Sequence, residues 1–163
     1  MSSIAPDAPE ARRQRRRLTT GIKDGLRELS NQLSLLNHHV SARVELKDVD
    51  LDCLDLVARH GPLSPSAIAR RAGLHPATMT GILDRLERGG WVTRERDPAD
   101  RRAIVVRASR ERGAELFGLY AGMNSSLDRL LAGYGEAELE LLADFLRRTT
   151  DAGRAATDEL GTE

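Results

Sequence analysis

Arginine is concentrated in one stretch of this chain. Between Arg70 and Arg112 the sequence holds eleven arginines and six acidic residues, a local net charge of +5, whereas the whole chain of 163 residues has a formal net charge of zero. Guanidinium groups form paired hydrogen bonds with phosphate oxygens. The stretch therefore predicts a phosphate-binding face, and any affinity for a polyanion has to come from this local charge.

Catalytic chemistry has no comparable signal. The sequence contains four histidines without metal-ligand spacing, and it offers no nucleophile beside a base and no glycine-rich phosphate loop. We therefore expect no enzyme activity, no catalytic residues, no metal and no cofactor. An apolar run of about 18 residues, the length of a membrane span, is also missing, so we expect a cytoplasmic protein without membrane contact.

The single cysteine, Cys53, cannot form an internal disulfide, which fits a reducing compartment. It lies beside an apolar helix face, and no basic residue stands near it in sequence to lower its pKa. These features favour a buried structural thiol. An oxidation sensor is the alternative.

The first element is predicted to be a long amphipathic helix over residues 18–46. Apolar residues recur at spacings of three and four from Leu18 to Val40, close to a heptad pattern. This stripe favours packing against a partner chain, with simple core packing as the alternative. Residues 1–17 are expected to be a disordered basic arm, and its cluster from Arg12 to Arg17 either adds phosphate contacts or is merely solvated.

Residues 47–108 carry the pattern of a DNA-binding domain. A helix from Asp48 ends at Gly61-Pro62, and a short helix capped by Ser64 follows. A further helix over residues 76–88 has the apolar spacing i, i+3, i+4, i+7 that begins at Met79. Its outer side carries small and hydroxyl residues, as approach to base edges and phosphates requires.

A charged β-hairpin is predicted directly after these helices. Strands over residues 91–94 and 103–107 flank a polar turn from Asp97 to Arg102. Helix, turn, helix and hairpin in this order describe a winged helix-turn-helix. Two further helical patterns fill residues 109–158, and residues 159–163 are expected to be a tail. The predicted fold is mainly α, with six helices and a small β-hairpin wing.

The stretch from Leu63 to Gly113 resembles the MarR family of bacterial transcription regulators. The most specific match is Arg-x-x-Asp-Pro-x-Asp-Arg-Arg, which begins at Arg94, and further matches lie in residues 63–69, 77–80 and 83–92. The resemblance implies a homodimer whose first and last two helices form the interface. It also implies a repressor that binds a pseudo-palindromic operator and releases it when a small aromatic or phenolic effector binds.

Candidate DNA contacts follow from the charge of the hairpin, from the outer helix face and, for several positions, from the resemblance. They are Ser64, His75, Ala77, Thr78, Thr80, Gly81, Arg85, Arg94, Arg96, Arg101 and Arg102. The resemblance places Arg102 in the minor groove, where narrow A·T tracts attract arginine. It suggests that Asp100 braces the wing through an ion pair. Gly81 departs from the longer polar side chain usual in the family, so base recognition there is expected to be weaker or to pass to its neighbours.

The end of the first helix and the expected partner complete the assignments. His39 and Arg43, late in the first helix, are candidate effector contacts, and ordinary packing is the alternative. Double-stranded DNA is the expected partner. The competing function is an architectural, nucleoid-type DNA binder, or an activator, without a small-molecule effector.

Overall fold

The computed structural model describes residues 8–161 and contains seven helices and one antiparallel hairpin. The chain divides into two compact units, one up to Asp48 and one from Val49 onward. The elements are α1 (Ala8–Arg43), α2 (Asp48–His60), α3 (Pro65–Ala72), α4 (Pro76–Arg88), β1 (Val92–Arg96), β2 (Ile104–Ala108), α5 (Arg110–Leu119), α6 (Ala121–Leu131) and α7 (Glu136–Leu160). No helix among these described residues is long and apolar enough to cross a membrane.

Helix α1 begins ten residues before the predicted start. Residues 8–17 were expected to be disordered and are helical instead, while residues 1–7 of the expected arm lie outside the described residues. Pro9 is tolerated because the first turn needs no backbone N–H donor there, and the alanine, arginine and glutamine that follow are strong helix formers. The helix ends at Arg43, because Glu45 takes a left-handed backbone with φ 57 and the Leu46 N–H bonds back to the Ser41 carbonyl at 2.9 Å.

The short helix α3 and its turn match the prediction closely. Ser64 Oγ accepts a hydrogen bond from the Ala67 N–H at 3.2 Å, and Pro65 occupies the first helical position. Gly73 ends the helix with φ 65, a left-handed conformation that glycine adopts without a Cβ penalty. Helix α4 begins after this turn, so the helix-turn-helix geometry follows from local capping.

The wing is a two-stranded sheet in which Val92 pairs with Ala108 and Arg96 pairs with Ile104. Both strands are displaced toward the C-terminus from the predicted ranges by one or two residues. Leu63 adds an isolated bridge to Val106, with N–H to carbonyl distances of 3.1 and 2.7 Å. This bridge ties the entrance of the helix-turn-helix to the second wing strand.

The core of the second unit is formed by apolar residues from α2, α3, α4 and the wing. Its buried members are Leu51, Cys53, Leu54, Val57, Ile68, Ala69, Met79, Ile82, Leu83, Leu86, Trp91, Val92, Val105 and Val106. The apolar face predicted for α4 is therefore confirmed as its buried face.

The C-terminal region differs from the predicted helix count. The fifth predicted helix is divided into α5 and α6 at Tyr120, whose φ of −91° and ψ of 0° leave the helical range. Gly118 and Gly122 flank this point and lower the local helix propensity. Helix α7 continues to Leu160, so the expected tail from residue 159 is helical at its start, and residues 162–163 lie outside the described part.

Candidate nucleic-acid interface

The outer face of α4 is open to solvent at its N-terminal end. Ala77, Thr78 and Thr80 are exposed and Gly81 is half-exposed, whereas Met79 is buried. Thr80 Oγ1 bonds to the Pro76 carbonyl at 3.3 Å, which keeps this hydroxyl close to the helix. Small side chains at this end leave the helix N-terminus accessible to an anion.

Two capping residues bring polar groups to the starts of α3 and α4. His75 Nδ1 accepts a hydrogen bond from the Ala77 N–H at 3.2 Å, so the proton of the neutral ring is on Nε2. That N–H is a donor suited to a phosphate oxygen. Ser64 Oγ also lies 3.1 Å from Ser66 Oγ, so two hydroxyl groups adjoin the start of α3.

Arg85 is bound to a carboxylate that the sequence analysis did not identify. Its Nε and Nη2 donate to Asp50 of α2 at 2.9 and 2.6 Å, and the Asp50 side chain is 1% exposed. The hydrogen bonds to Asp50 raise the pKa of Arg85. A signal for Asp50 was present in the sequence, because Asp50, Leu54 and Val57 share the spacing i, i+4, i+7 and hence one helix face.

Arg94 connects the wing to α4. Its Nη2 lies 2.5 Å from Asp84 Oδ1 and its Nη1 lies 3.3 Å from Glu87 Oε2. The Arg94 side chain is only 27% exposed. Arg94 therefore braces the first wing strand against the helix, a role that the sequence analysis did not anticipate for this candidate DNA contact.

The tip of the wing is shaped by two aspartates. Asp97 Oδ1 accepts from the Ala99 N–H at 2.9 Å, and Asp100 Oδ1 accepts from the Arg102 N–H at 3.0 Å. In the described residues Asp100 thus braces the turn through a backbone hydrogen bond and not through the expected ion pair. The short aspartate side chain reaches a backbone N–H two residues ahead, which favours this turn.

The arginines of the wing tip differ in their surroundings. Arg96 Nη1 donates to the Arg101 carbonyl at 3.0 Å and so closes the hairpin. The side chains of Arg101 and Arg102 are exposed. The wing therefore presents two accessible guanidinium groups beyond a hairpin end that is fixed by its own hydrogen bonds.

The candidate effector residues on α1 are exposed. His39 and Arg43 both lie at the surface of the first unit. Their neighbour His38 is engaged instead: its Nδ1 lies 2.9 Å from Asp48 Oδ2, and Ser41 donates to the other Asp48 oxygen. These hydrogen bonds from Ser41 and His38 lower the pKa of Asp48.

Cys53 is fully buried in the second unit, with 0% exposure. Burial, with a smaller contribution from the charges of Asp52 and Asp50, raises the pKa of its thiol to about 11. The thiol is therefore protonated at neutral pH and shielded from solvent. Among the described residues, no group of three or more histidine, cysteine or acidic side chains is arranged to hold a metal ion.

With one exception, the large exposed apolar side chains of the described residues occur outside the helix-turn-helix and wing. On α1 they are Leu18, Ile22, Leu29, Leu33 and Leu35, and after the wing they are Phe117, Leu119, Leu127, Leu130, Leu131, Tyr134, Leu141, Phe145, Leu146 and Leu160. From α2 through β2, a stretch that the structure describes in full, Ile104 is the one large apolar side chain of this kind. Such extended exposed surfaces are typical of protein interfaces.

Comparisons with known proteins agree on one family. The model of the MarR family matches residues 46–104. The HTH-type transcriptional regulator YcgE of Bacillus subtilis is 30% identical over 125 residues, which cover 77% of this chain and 81% of that protein. The HTH-type transcriptional repressor YetL of the same organism is 28% identical over 121 residues, 73% of this chain and 72% of that protein.

A solved structure shows the same fold. FabT of Streptococcus pneumoniae in complex with DNA superposes with a TM-score of 0.64 at 16% identity, covering 85% of this chain and 97% of that chain. The predicted winged helix-turn-helix is confirmed by this agreement and by the hairpin that follows α4.

Proposed function

This chain belongs to the MarR family, whose members are DNA-binding transcriptional regulators and not enzymes, and on that premise we propose that it is a homodimeric, ligand-responsive repressor of a pseudo-palindromic operator. Each subunit places α4 in a major groove and the wing tip in the flanking minor groove. The observation that carries this proposal is the bracing of the wing on α4 by Arg94, which joins an open helix N-terminus and two exposed arginines in one DNA-binding element.

Phosphate contacts are proposed for side chains around the helix starts. Ser64 and the Nε2–H of His75 bond to the backbone of one strand, and Ala77 and Thr78 allow α4 to approach the bases. Thr80 and Gly81 lie farther along the same face. Arg101 and Arg102 extend into the minor groove, where the negative potential of A·T tracts attracts them.

The homodimer is proposed from the α1 stripe and from the exposed apolar side chains after the wing, whereas Leu35 of α1 lies off the stripe. A monomer would leave the α1 stripe and much of α5, α6 and α7 in water, at a cost that grows with the apolar area. A second copy of the chain supplies the same apolar surfaces and removes both from solvent. Two-fold symmetry then sets the two recognition helices against half-sites about one turn, ~10 bp, apart.

Repression and ligand response are each proposed on a separate ground. The relative YetL carries the name of a repressor, which supports repression for this chain. A small aromatic or phenolic effector is proposed to bind near the end of α1, where His39 and Arg43 offer a ring and a cation at the surface. Arg43 suits a phenolate or carboxylate group, and His39 suits stacking on an aromatic ring.

Footprinting tests these assignments together. The purified dimer is incubated with the intergenic DNA beside its own gene, with and without a panel of phenolic compounds. Protection of an inverted repeat, lost with one compound, is the expected result. Uniform coating of any DNA without sequence preference would instead support an architectural binder, and a specific footprint that no compound relieves would contradict the ligand response.

A further inference from the structure

Arg85 of the recognition helix α4 is oriented by a buried carboxylate, that of Asp50. Asp50 on α2 is 1% exposed and binds the Nε–Nη2 edge of Arg85 through two hydrogen bonds, at 2.9 and 2.6 Å. An isolated carboxylate at this depth would be costly, so the pair holds together strongly. The Arg85 side chain nevertheless keeps 35% of its surface exposed.

The remaining edge of the guanidinium lies over Gly81. A Cβ atom added to Gly81 would stand 3.5 Å from Arg85 Nη1, so the Nη1 group passes directly above this glycine on the same helix face. A longer side chain at this position would extend from a Cβ atom in van der Waals contact with Nη1 and would compete with it for space. The glycine thus leaves room for a guanidinium that Asp50 has already oriented.

We propose that Asp50 is a positioning residue that makes Arg85 the specificity-determining residue of the recognition helix. Nε and one Nη2 hydrogen are committed to Asp50, so the two hydrogens of Nη1 and the second hydrogen of Nη2 are not used in this pair. These donors match the O6 and N7 acceptors of a guanine in the major groove. A guanidinium fixed in this way loses little conformational freedom when the base binds. The inference rests on the proposed binding of α4 in the major groove.

Base preference and salt dependence distinguish a guanine contact from a phosphate contact. The wild type and R85Q are compared by selection from an operator library randomised within each half-site, and by titration at several salt concentrations. R85Q is expected to lose preference for guanine at one position in each half-site, on the order of tenfold or more. A phosphate contact would leave the base preference intact and reduce the magnitude of the salt slope by about 0.9 per contact.

Asp50 is tested through the same position of the operator. D50N is expected to weaken the base preference at the same operator position as R85Q. The double variant is expected to be no less specific than R85Q alone, since the two residues act as a unit. A purely structural role would weaken specific and non-specific binding together without changing base preference. Urea unfolding measures the folded fraction of each variant, and affinities are compared under conditions in which each variant is fully folded.

Substitutions at Gly81 test the same proposal while leaving the ion pair between Asp50 and Arg85 in place. G81Q is expected to displace Nη1 and alter preference at that base pair, whereas the matched control G81A, whose Cβ meets Nη1 at an ordinary contact distance, is expected to retain it. R85Q leaves the buried Asp50 carboxylate unpaired, and D50N leaves Arg85 without its carboxylate partner, so both changes cost stability. G81Q therefore also decides the case in which R85Q or D50N fails to fold. Unchanged base preference in R85Q and G81Q would overturn the inference, while a wild type without sequence preference would contradict the proposed function itself.

Discussion

Arg94 of the wing lies against Asp84 of the recognition helix, with Nη2 and Oδ1 2.5 Å apart. The second terminal nitrogen, Nη1, reaches Glu87 one turn further along α4, at 3.3 Å. One arginine thus spans two carboxylates on consecutive turns, and the first wing strand is held at a set direction relative to α4. Under the proposed function, this connection lets the wing tip and α4 bind adjacent grooves of the DNA together.

Removing the Arg94 brace should weaken operator binding without removing a phosphate contact. We expect R94Q to lose up to about 1 kcal/mol of operator affinity, because partly exposed ion pairs contribute amounts of that size. The slope of log affinity against log salt should stay the same. Fluorescence anisotropy at several salt concentrations measures both quantities, and a slope smaller in magnitude by about 0.9 would show that Arg94 itself binds a phosphate.

Arg102 is expected to act as the probe of the minor groove. R102A should cost on the order of 1–3 kcal/mol of operator binding, and the loss should be larger for an A·T-rich flank than for a G·C-rich flank. R148A on α7, where the arginine is also exposed, is the matched control for the lost charge. Equal operator affinity for R102A and the wild type would refute the wing assignment.

Dimerisation through the α1 stripe can be tested by a buried charge. I22E places a carboxylate in the predicted interface, so we expect a monomer at concentrations where the wild type is dimeric, with operator affinity lost in parallel. L35E is the control, because Leu35 is 53% exposed on α1, against 48% for Ile22, but is not part of the stripe. The stripe consists of Leu18, Ile22, Leu26, Leu29, Leu33, Leu36 and Val40. Sedimentation equilibrium measures the mass, and dimers of unchanged stability in I22E would exclude this face.

The basic segment of α1 offers a further prediction. Arg12, Arg13, Arg16 and Arg17 lie in a helix with no acidic residue between Glu10 and Asp24. If these arginines contact phosphates outside the operator, replacing Arg12, Arg13 and Arg16 by glutamine should weaken binding to long DNA and reduce the magnitude of the salt slope by about 0.9 per lost contact. The same change at Arg147, Arg148 and Arg154 of α7 is the charge-matched control, and equal slopes in both triple variants would indicate a solvated segment.

Cys53 is expected to be chemically inert in the native protein. Its pKa of about 11 keeps the thiol protonated at neutral pH, so thiol reagents and peroxide should react only after unfolding. Because the pKa of the thiol in the folded protein lies above its ordinary value of 9.0, its contribution to stability is complete below pH 9 and declines as pH rises toward 11. Peroxide that released DNA from the wild type but not from C53S would instead support redox sensing.

Local signals in the sequence were sufficient for much of this molecule. The caps Ser64 and Gly73, the spacing of Met79, Ile82, Leu83 and Leu86, and the polar turn at Asp97 predicted α3, α4 and the hairpin. Each depends on neighbours a few residues away, since capping, helical periodicity and turn chemistry are short-range effects. The predicted start of α1 is wrong by ten residues, because the arginine cluster is helical and not disordered, and arginine is a good helix former.

The roles of the charged residues were decided by tertiary structure. Composition showed an excess of arginine, but it did not show that Arg85 binds Asp50, 35 residues away, or that Arg94 binds Asp84 and Glu87. An ion pair forms only where packing brings its partners within about 4 Å, and no local pattern specifies that distance. The sequence by itself therefore determined where this protein has a helix-turn-helix and a wing, whereas only the folded chain determined which arginines support that element and which remain exposed.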